Sequence, residues 1–424
     1  MRKILALLIL LILGAGTYFL YLIPKVEYYS PPQSQIPEDQ IYKEISYEAV
    51  DKNKYSVSLV TDKLLSPTRI KLTPNGKHLL VSQITGELLS FDKTKNGWND
   101  KGYLVAKVET SFPGFPPDEA GLTGIVLSSD FNEEGKIFLL HTSKDSADAT
   151  QNRVSVTNIT ERGGKLFGTQ PEMIYQANIV GASSHQITDG VSLKINNEPH
   201  IMFTIGEGLI GKRAQNINEE GGKVILIKED GSNPDGIRPY SENPRIEAIG
   251  IRNAYVITKN PFDPLDRYII ADTGPDKFDR LLYTKLGHGE NQKPINFGWD
   301  GSQDSLADPI PDPNTINVLD MAIFRLPETR TFAGLVFLNE PGQFLATIFG
   351  RTGSFENSPG KEIWLGSITN LTEQPKVSFS PIIKRAEEAN GKLGNPIGLE
   401  INPINQDFFF ADILEGRLYK VKRR

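Results

Sequence analysis

A chain of 424 residues with 38 % apolar side chains is long enough to bury a large core, and its 38 glycines and 28 prolines point to many turns between short strands, not to long helices. Acidic residues outnumber basic ones by 52 to 46, for a net charge of −6, so nothing in the balance attracts a phosphate backbone and it argues against nucleic-acid binding. There is no cysteine, which excludes disulfides, thiolate catalysis and cysteine-ligated metal centres.

The first element is apolar. Arg2 and Lys3 precede a run from Ile4 to Ile23 without a charged residue. Twenty helical residues span about 30 Å, the thickness of a bilayer core. Residues 1–23 therefore read as an uncleaved signal-anchor transmembrane helix in the cytoplasmic membrane. The positive flank stays inside and places the remainder on the extracytoplasmic side. A signal peptide cleaved near Gly14-Ala15-Gly16 is the alternative. Residues 24–43, with Pro24, Pro31, Pro32 and Pro37, read as a stiff extended linker.

From residue 44 a pattern of apolar strand, turn and apolar strand recurs to residue 424. The clearest unit starts at Pro67, turns at Pro74-Asn75-Gly76 and ends near Asp92; the last starts at Pro396 and ends at Val421. Related units start near Gly121, Gly190, Ile249 and Ala333. Six units at intervals of about 66 residues exceed compact propeller repeats and imply long loops, where sites are built. The fold expected is all-β: a six-bladed β-propeller of four-stranded antiparallel blades over residues 44–424. The chain ends after a third strand, so ring closure needs a strand from residues 45–60, where Ile45, Tyr47, Tyr55, Val57 and Leu59 share one alternating face.

Gly206-Glu-Gly-Leu-Ile-Gly211 has dinucleotide-loop spacing but no helix follows, so it reads as a propeller loop. His78, His141, His200 and His288 lack metal-ligand spacing and read as blade or surface residues. His185 lies in the polar segment Ser183-Ser-His-Gln-Ile-Thr-Asp189, not on an apolar face; a histidine there suits a proton-transfer role, since histidine titrates near neutrality, or bonds backbone groups of its loop.

Five stretches, in order, carry a resemblance: Gly121-Leu-Thr-Gly-Ile-Val-Leu127; His185 with Asp189-Gly-Val-Ser-Leu193; Gly221-Gly-Lys-Val-Ile-Leu-Ile227; Gly250-Ile-Arg-Asn253; and Asp272-Thr-Gly-Pro275 ending in Asn296-Phe-Gly-Trp299. The sequence from about 60 to 424 resembles the glucose/sorbosone dehydrogenase family of soluble pyrroloquinoline-quinone (PQQ) aldose dehydrogenases, as a divergent member. The resemblance implies a PQQ- and calcium-dependent enzyme that oxidises an aldose at its anomeric carbon to the lactone and passes electrons to an external acceptor. It implies His185 as catalytic base, Arg252 and Asn253 as cofactor contacts, and the carbonyls of Gly274 and Pro275 as calcium ligands supported by Asp279. It places Glu119 against the substrate and finds only Arg351 for the fifth-blade basic residue. Departures are visible. Gln186-Ile-Thr188 stands where the family has a compact turn, and Gly394-Asn-Pro-Ile-Gly398 lacks the arginines that hold PQQ carboxylates. The alternatives are a non-catalytic propeller that binds carbohydrate or a protein partner, and a calcium-dependent lactonase-like hydrolase, for which clustered acidic residues are few.

Overall fold

The computed structural model describes residues 26–32, 38–112, 119–234, 243–286, 294–307, 321–350, 360–371 and 375–424. The anchor expected over residues 1–23, Arg351 and His288 lie outside the described residues. Among the described residues no helix is long and apolar enough to cross a membrane.

Six antiparallel blades follow one another. Blade one is Pro67–Leu72, His78–Gln83, Glu87–Thr94 and Tyr103–Lys107; blade two is Leu122–Leu127, Lys136–Lys144, Thr150–Arg162 and Glu172–Val180. Blade three is Ile187–Ile195, Glu198–Ile205, Lys223–Lys228 and Ile246–Ile249; blade four is Ala254–Lys259, Arg267–Asp272, Asp279–Lys285 and Ala322–Leu326. Blade five is Phe332–Phe337, Gln343–Ile348, Glu362–Thr369 and Lys376–Arg385; blade six is Pro396–Ile401, Phe408–Asp412, Arg417–Arg423 and, from the N-terminal side, Tyr55–Thr61. Several blades add a short edge strand. The first strand of each blade packs against the first strands of its two neighbours, and the last of them returns to the first, so the ring is closed.

The middle strands explain why these sequences form blades. Leu79-Leu-Val81, Ile137-Phe-Leu-Leu140, Ile201-Met-Phe203 and Phe408-Phe-Phe-Ala411 are buried on both faces, because each sheet is sandwiched between two others. Such strands read as continuous apolar runs, not as alternation. The turn expected at Pro74-Asn-Gly76 forms, with Gly76 N–H donating to Thr73 O at 2.8 Å and φ of +67°.

Three sequence expectations need correction. Residues 45–60 are not one strand: Tyr47–Ala49 extends blade five, with Tyr47 opposite Arg385, and Tyr55–Thr61 closes blade six, with Val57 opposite Val421. The tight turn at Asp51, whose Oδ1 accepts the Asn53 N–H at 2.9 Å, divides them. The unit placed near Ile249 begins at Ala254; Ile249 belongs to the fourth strand of blade three, and its apolar run hides the boundary. The described part of the linker does not stand free. Leu104 N–H donates to Glu27 O and Tyr29 N–H to Gly102 O, both at 2.9 Å, along the outer strand of blade one. Arg417 reaches the carbonyls of Lys43 and Glu44. An open sheet edge offers unpaired backbone groups, and the segment covers them.

The ring is tied at its axis. Pairing in every inner strand is irregular near its start, skipping from Pro67 to Arg69, Leu122 to Gly124, Ile187 to Gly190, Ala254 to Val256, Phe332 to Gly334 and Ile397 to Glu400. Such a bulge turns a side chain out of the ladder. Thr68 Oγ1 donates to Leu122 O at 2.7 Å, Thr123 Oγ1 to Ile187 O at 2.6 Å, and Thr188 Oγ1 to Ala254 O, which stitches blades one to four. Gly124 permits this approach: a Cβ there would sit 2.7 Å from Thr188 O. Arg69 completes the circuit, donating to Ala333 O at 2.9 Å and to Tyr255 O, with Nε 3.6 Å from Asp189 Oδ1.

Glu400, 3.8 Å from Lys71, belongs to the same axial group. Burial, with Asp189 nearby, pushes its carboxyl up from the usual 4.5 to about 7. The folded state holds this proton where the unfolded chain releases it, so the contribution to stability is full below pH 4.5 and is lost as pH rises through 7. In melting curves the wild type is expected to lose stability relative to Glu400→Gln between those pH values. A difference that stays flat over the range refutes the assignment.

Candidate active site

Blades two, three and four bring distant loops together above the axis. His185 immediately precedes the inner strand of blade three, in the left-handed region with φ of +59°. The next hairpin ends at Gly206, which must be glycine because a Cβ would lie 2.6 Å from the His185 carbonyl group. Gly206 N–H donates to Gln186 O and Gly208 N–H to His185 O, at 3.0 and 3.1 Å. This close packing sets Glu207 against the imidazole: Nδ1 donates to Oε1 at 2.9 Å. Both side chains are buried, 8 % and 4 % exposed. A carboxylate only accepts, so Nδ1 is the ring nitrogen that carries a proton toward Glu207. Glu207 Oε2 is buried without a hydrogen-bond partner among the described residues.

Glu119 is the hub on the other side. Its carboxylate accepts from the His185 backbone N–H, from Asn253 Nδ2 at 3.1 and 3.2 Å, and from the Tyr255 hydroxyl. Burial and this carboxylate raise the Tyr255 phenol far above its ordinary value, so it serves as a donor. Arg252 joins the cluster through its backbone, whose carbonyl accepts the Glu207 N–H at 2.9 Å. Its guanidinium donates Nη1 to Thr273 O at 2.9 Å and lies 5.8 Å over the Trp299 ring. Beneath it, the fully buried pair Asp272–Arg280, at 2.6 Å, fixes the loop: Asp272 Oδ1 accepts the N–H groups of Arg252 and Asn253 at 3.1 and 2.8 Å.

Gly274 and Pro275 follow Thr273 directly, and Asp279 braces their turn. Its Oδ1 accepts the Gly274 N–H at 2.9 Å, and its Oδ2 accepts those of Arg330 and Thr331 at 2.6 and 2.7 Å. Burial still raises its carboxyl above the ordinary value. With three backbone donors on its oxygens, Asp279 holds the loop's shape. Among the described residues no group of three His, Cys, Asp or Glu is placed to hold a metal.

A cavity of about 310 Å³ opens on the axis, walled by residues from every blade, among them Arg69, Glu119, Thr123, Tyr255, Thr331 and Ile397. His185 and Asn253 therefore stand one hydrogen-bonded layer from this wall, through Glu119, Arg252 stands a step further back, through Glu207 and His185, and the Gly274 turn reaches it through Asp279 and Thr331. The sequence reading missed Glu207, Tyr255, Asp272 and Arg69. A carboxylate between two glycines, just after the hairpin that follows His185, was the one available signal. Two further histidines lie inside blades: His78 meets Asp92 at 2.8 Å and His200 meets Glu198 O at 2.8 Å.

The family model described as Glucose / Sorbosone dehydrogenase matches residues 64–307, more than half of the chain. A search among curated protein sequences gave no match. Among solved structures, the soluble aldose sugar dehydrogenase of Escherichia coli, in its apo-form, is 17 % identical with a TM-score of 0.67, over 87 % of this chain and 100 % of that one. The PQQ-bound aldose sugar dehydrogenase of Streptomyces coelicolor is 19 % identical with a TM-score of 0.60, over 88 % and 99 %. The holo pyranose dehydrogenase PQQ domain of Coprinopsis cinerea is 13 % identical with a TM-score of 0.64, over 94 % and 100 %. At these identities the likeness is one of fold.

Removing the hub strands three donors. Glu119→Ala is expected to lower the stability measured by urea unfolding by about 1–3 kcal/mol, and Glu119→Gln by less, since the amide oxygen still accepts. Equal stability of Glu119→Ala and wild type would show that the network is not formed.

Proposed function

Because the chain belongs to the glucose/sorbosone dehydrogenase family, we propose that it oxidises an aldose at C1 to the lactone, with PQQ and calcium, on the outer side of the cytoplasmic membrane. The observation that carries this reading is the buried His185–Glu207 pair beside an axial cavity. A base must be held in one tautomer to accept a proton at one atom, and a carboxylate on Nδ1 does that.

The residues present fit a quinone with carboxylate groups. Among the described residues Asn253 Oδ1 is buried without a hydrogen-bond partner, and the Arg252 guanidinium uses one donor on Thr273 O and makes no other hydrogen bond. An arginine fork suits a carboxylate or a quinone oxygen. Arg252 and Asn253 would hold PQQ, together with Arg351. The carbonyls of Gly274 and Pro275 would hold calcium, which favours hard oxygen donors. When bound, PQQ supplies the carbonyl that takes up hydride, and calcium polarises it. His185 Nε2 removes the proton of the C1 hydroxyl, and Nδ1–H strengthens its bond to Glu207 as the imidazole becomes charged. Glu207 Oε2, lacking a neutralising donor, leaves the carboxylate's charge available to that imidazolium. Glu119 positions His185 through its backbone and presents its remaining surface to the sugar.

A propeller that binds carbohydrate without turning it over is the second reading. It is favoured by the blade-six wall of the cavity, which is Ile397 and Ile413 and has no arginine. Reconstitution separates the two. With PQQ, calcium and a panel of aldoses, dye reduction is expected. His185→Ala should lower kcat by about 10²–10⁴-fold, and Glu207→Gln by a smaller factor with KM kept. No spectral change on adding PQQ would select the second reading. In the reading proposed here, residues 1–23 anchor the chain, supported by the uncharged run behind Arg2 and Lys3. The native protein is then expected to need detergent for extraction and to retain Met1; recovery in the soluble fraction with a shortened N-terminus would refute this.

A further inference from the structure

Among the described residues one lysine, Lys223, is wholly buried. A lysine is almost never so placed unless its charge is answered. Here three backbone carbonyls answer it: Nζ donates to Gly221 O at 2.7 Å, to Arg213 O at 2.8 Å and to Ala214 O at 3.0 Å. Three acceptors call for three donors, which the ammonium has and the neutral amine lacks. Burial opposes the charge and pulls the pKa from 10.5 down to about 7; Arg213 adds to that effect, and Glu219 and Glu220 act against it. A methionine or leucine would fill the same space without desolvating a cation, so packing alone does not account for the lysine.

Lys223 opens the third strand of blade three, opposite Ile205 on one side and Ile249 on the other. Glu207 follows closely on the first of these neighbours, and Arg252 and Asn253 on the second. The connection over residues 206–222 folds back so that the Arg213 and Ala214 carbonyls reach the lysine. Glycine at 221 and 222 makes room for this. A Cβ at Gly221 would lie 2.4 Å from Arg213 Cδ, and one at Gly222 would lie 2.6 Å from Ala214 Cα.

From the lysine the bonds run into the site. Ala214 O also accepts the Gly250 N–H at 3.0 Å, and Gly222 O accepts that of Ile251 at 3.2 Å. Gln215 Nε2 donates at 2.7 Å to the carbonyl of Trp299, whose ring lies beneath the Arg252 guanidinium. Arg252 O in turn accepts the Glu207 N–H at 2.9 Å. One ammonium thus fastens, at their common root, the segments that carry Glu207, Arg252 and Asn253. We propose that Lys223 is a positioning residue of the candidate active site: its ammonium, caged by backbone carbonyls, holds the connection that sets Glu207 against His185. The effect on turnover rests on the sugar-oxidising reading above; the effect on the histidine does not.

The test uses the full chain carrying Lys223→Met, which keeps the stem and drops the charge, or Lys223→Ala. Without PQQ or calcium, proton–nitrogen NMR of labelled histidine reads the proton on His185 Nδ1, assigned by its absence from His185→Ala. A low-field signal, as for a proton shared with a carboxylate, is expected in the wild type, and its loss in Lys223→Met. With PQQ and calcium bound, Lys223→Met is expected to lower kcat for aldose oxidation about 10²-fold, the effect of a small misplacement, with KM little changed. Propylammonium has the atoms that Lys223→Ala removes and should restore the signal to that variant, whereas propanol should not. Melting curves verify folding. If neither variant folds, nitrogen-labelled lysine in the wild type decides: a slowly exchanging ammonium signal below pH 7 supports the cage, and its absence overturns it. An unchanged histidine signal in a folded variant overturns the positioning role, as does equal rescue by propanol, which assigns the loss to packing. If the wild type oxidises no aldose, the sugar-oxidising reading falls, and the histidine signal alone judges Lys223.

Discussion

Six strand ends meeting on one axis is the constraint on which the rest of this molecule depends. Regular pairing would leave backbone carbonyls of neighbouring blades facing one another across the axis with no donor between them, and an unpaired buried carbonyl is costly. The irregular start of the inner strand in blades one to four resolves this by turning a threonine hydroxyl or a tyrosine phenol into the gap, and the Arg69 guanidinium adds its donors. Three threonines donate to the next blade, and Arg69 spans to blades four and five. The same irregularity supplies the cavity wall, because Thr68, Thr123, Thr188 and Tyr255 are the residues it displaces. Closure and site are therefore one structural event.

Carboxylates play two different parts around that axis. Asp272 and Asp279 spend their oxygens on backbone N–H groups and on Arg280, which shapes the loops that carry Arg252 and Gly274. Glu119 ties His185, Asn253 and Tyr255, residues from two blades, into one cluster. Glu207 differs: one oxygen holds the imidazole and the other has no partner among the described residues, so its charge is left for the imidazole to answer.

The N-terminal segment is part of the ring, not an appendage. Tyr55–Thr61 completes blade six, Tyr47–Ala49 lengthens blade five, and Arg417 and the outer strand of blade one hold what precedes them. Pairing the first strand with the last fastens the circle where it would otherwise open, and joins the two ends of the folded chain.

The sequence by itself determined the blades. Strand, turn and strand follow local rules, and the Pro74-Asn-Gly76 turn, the apolar middle strands and the starts at Pro67 and Pro396 were legible for that reason. Motif order also drew attention to His185, Arg252 and Asn253, though not to what they touch. Contacts between residues far apart in sequence were decided only by the tertiary structure: Tyr255 on Glu119, 136 positions away, Arg69 on Tyr255, 186 away, and Glu207 on His185 across a hairpin. The division of residues 45–60 between two blades was likewise invisible, since both halves alternate in the same way and only the neighbouring edges differ. The physical reason is the same in each case: a strand pattern is written along the chain, whereas a partner for a buried polar group is chosen by which loops the closed ring brings to its centre.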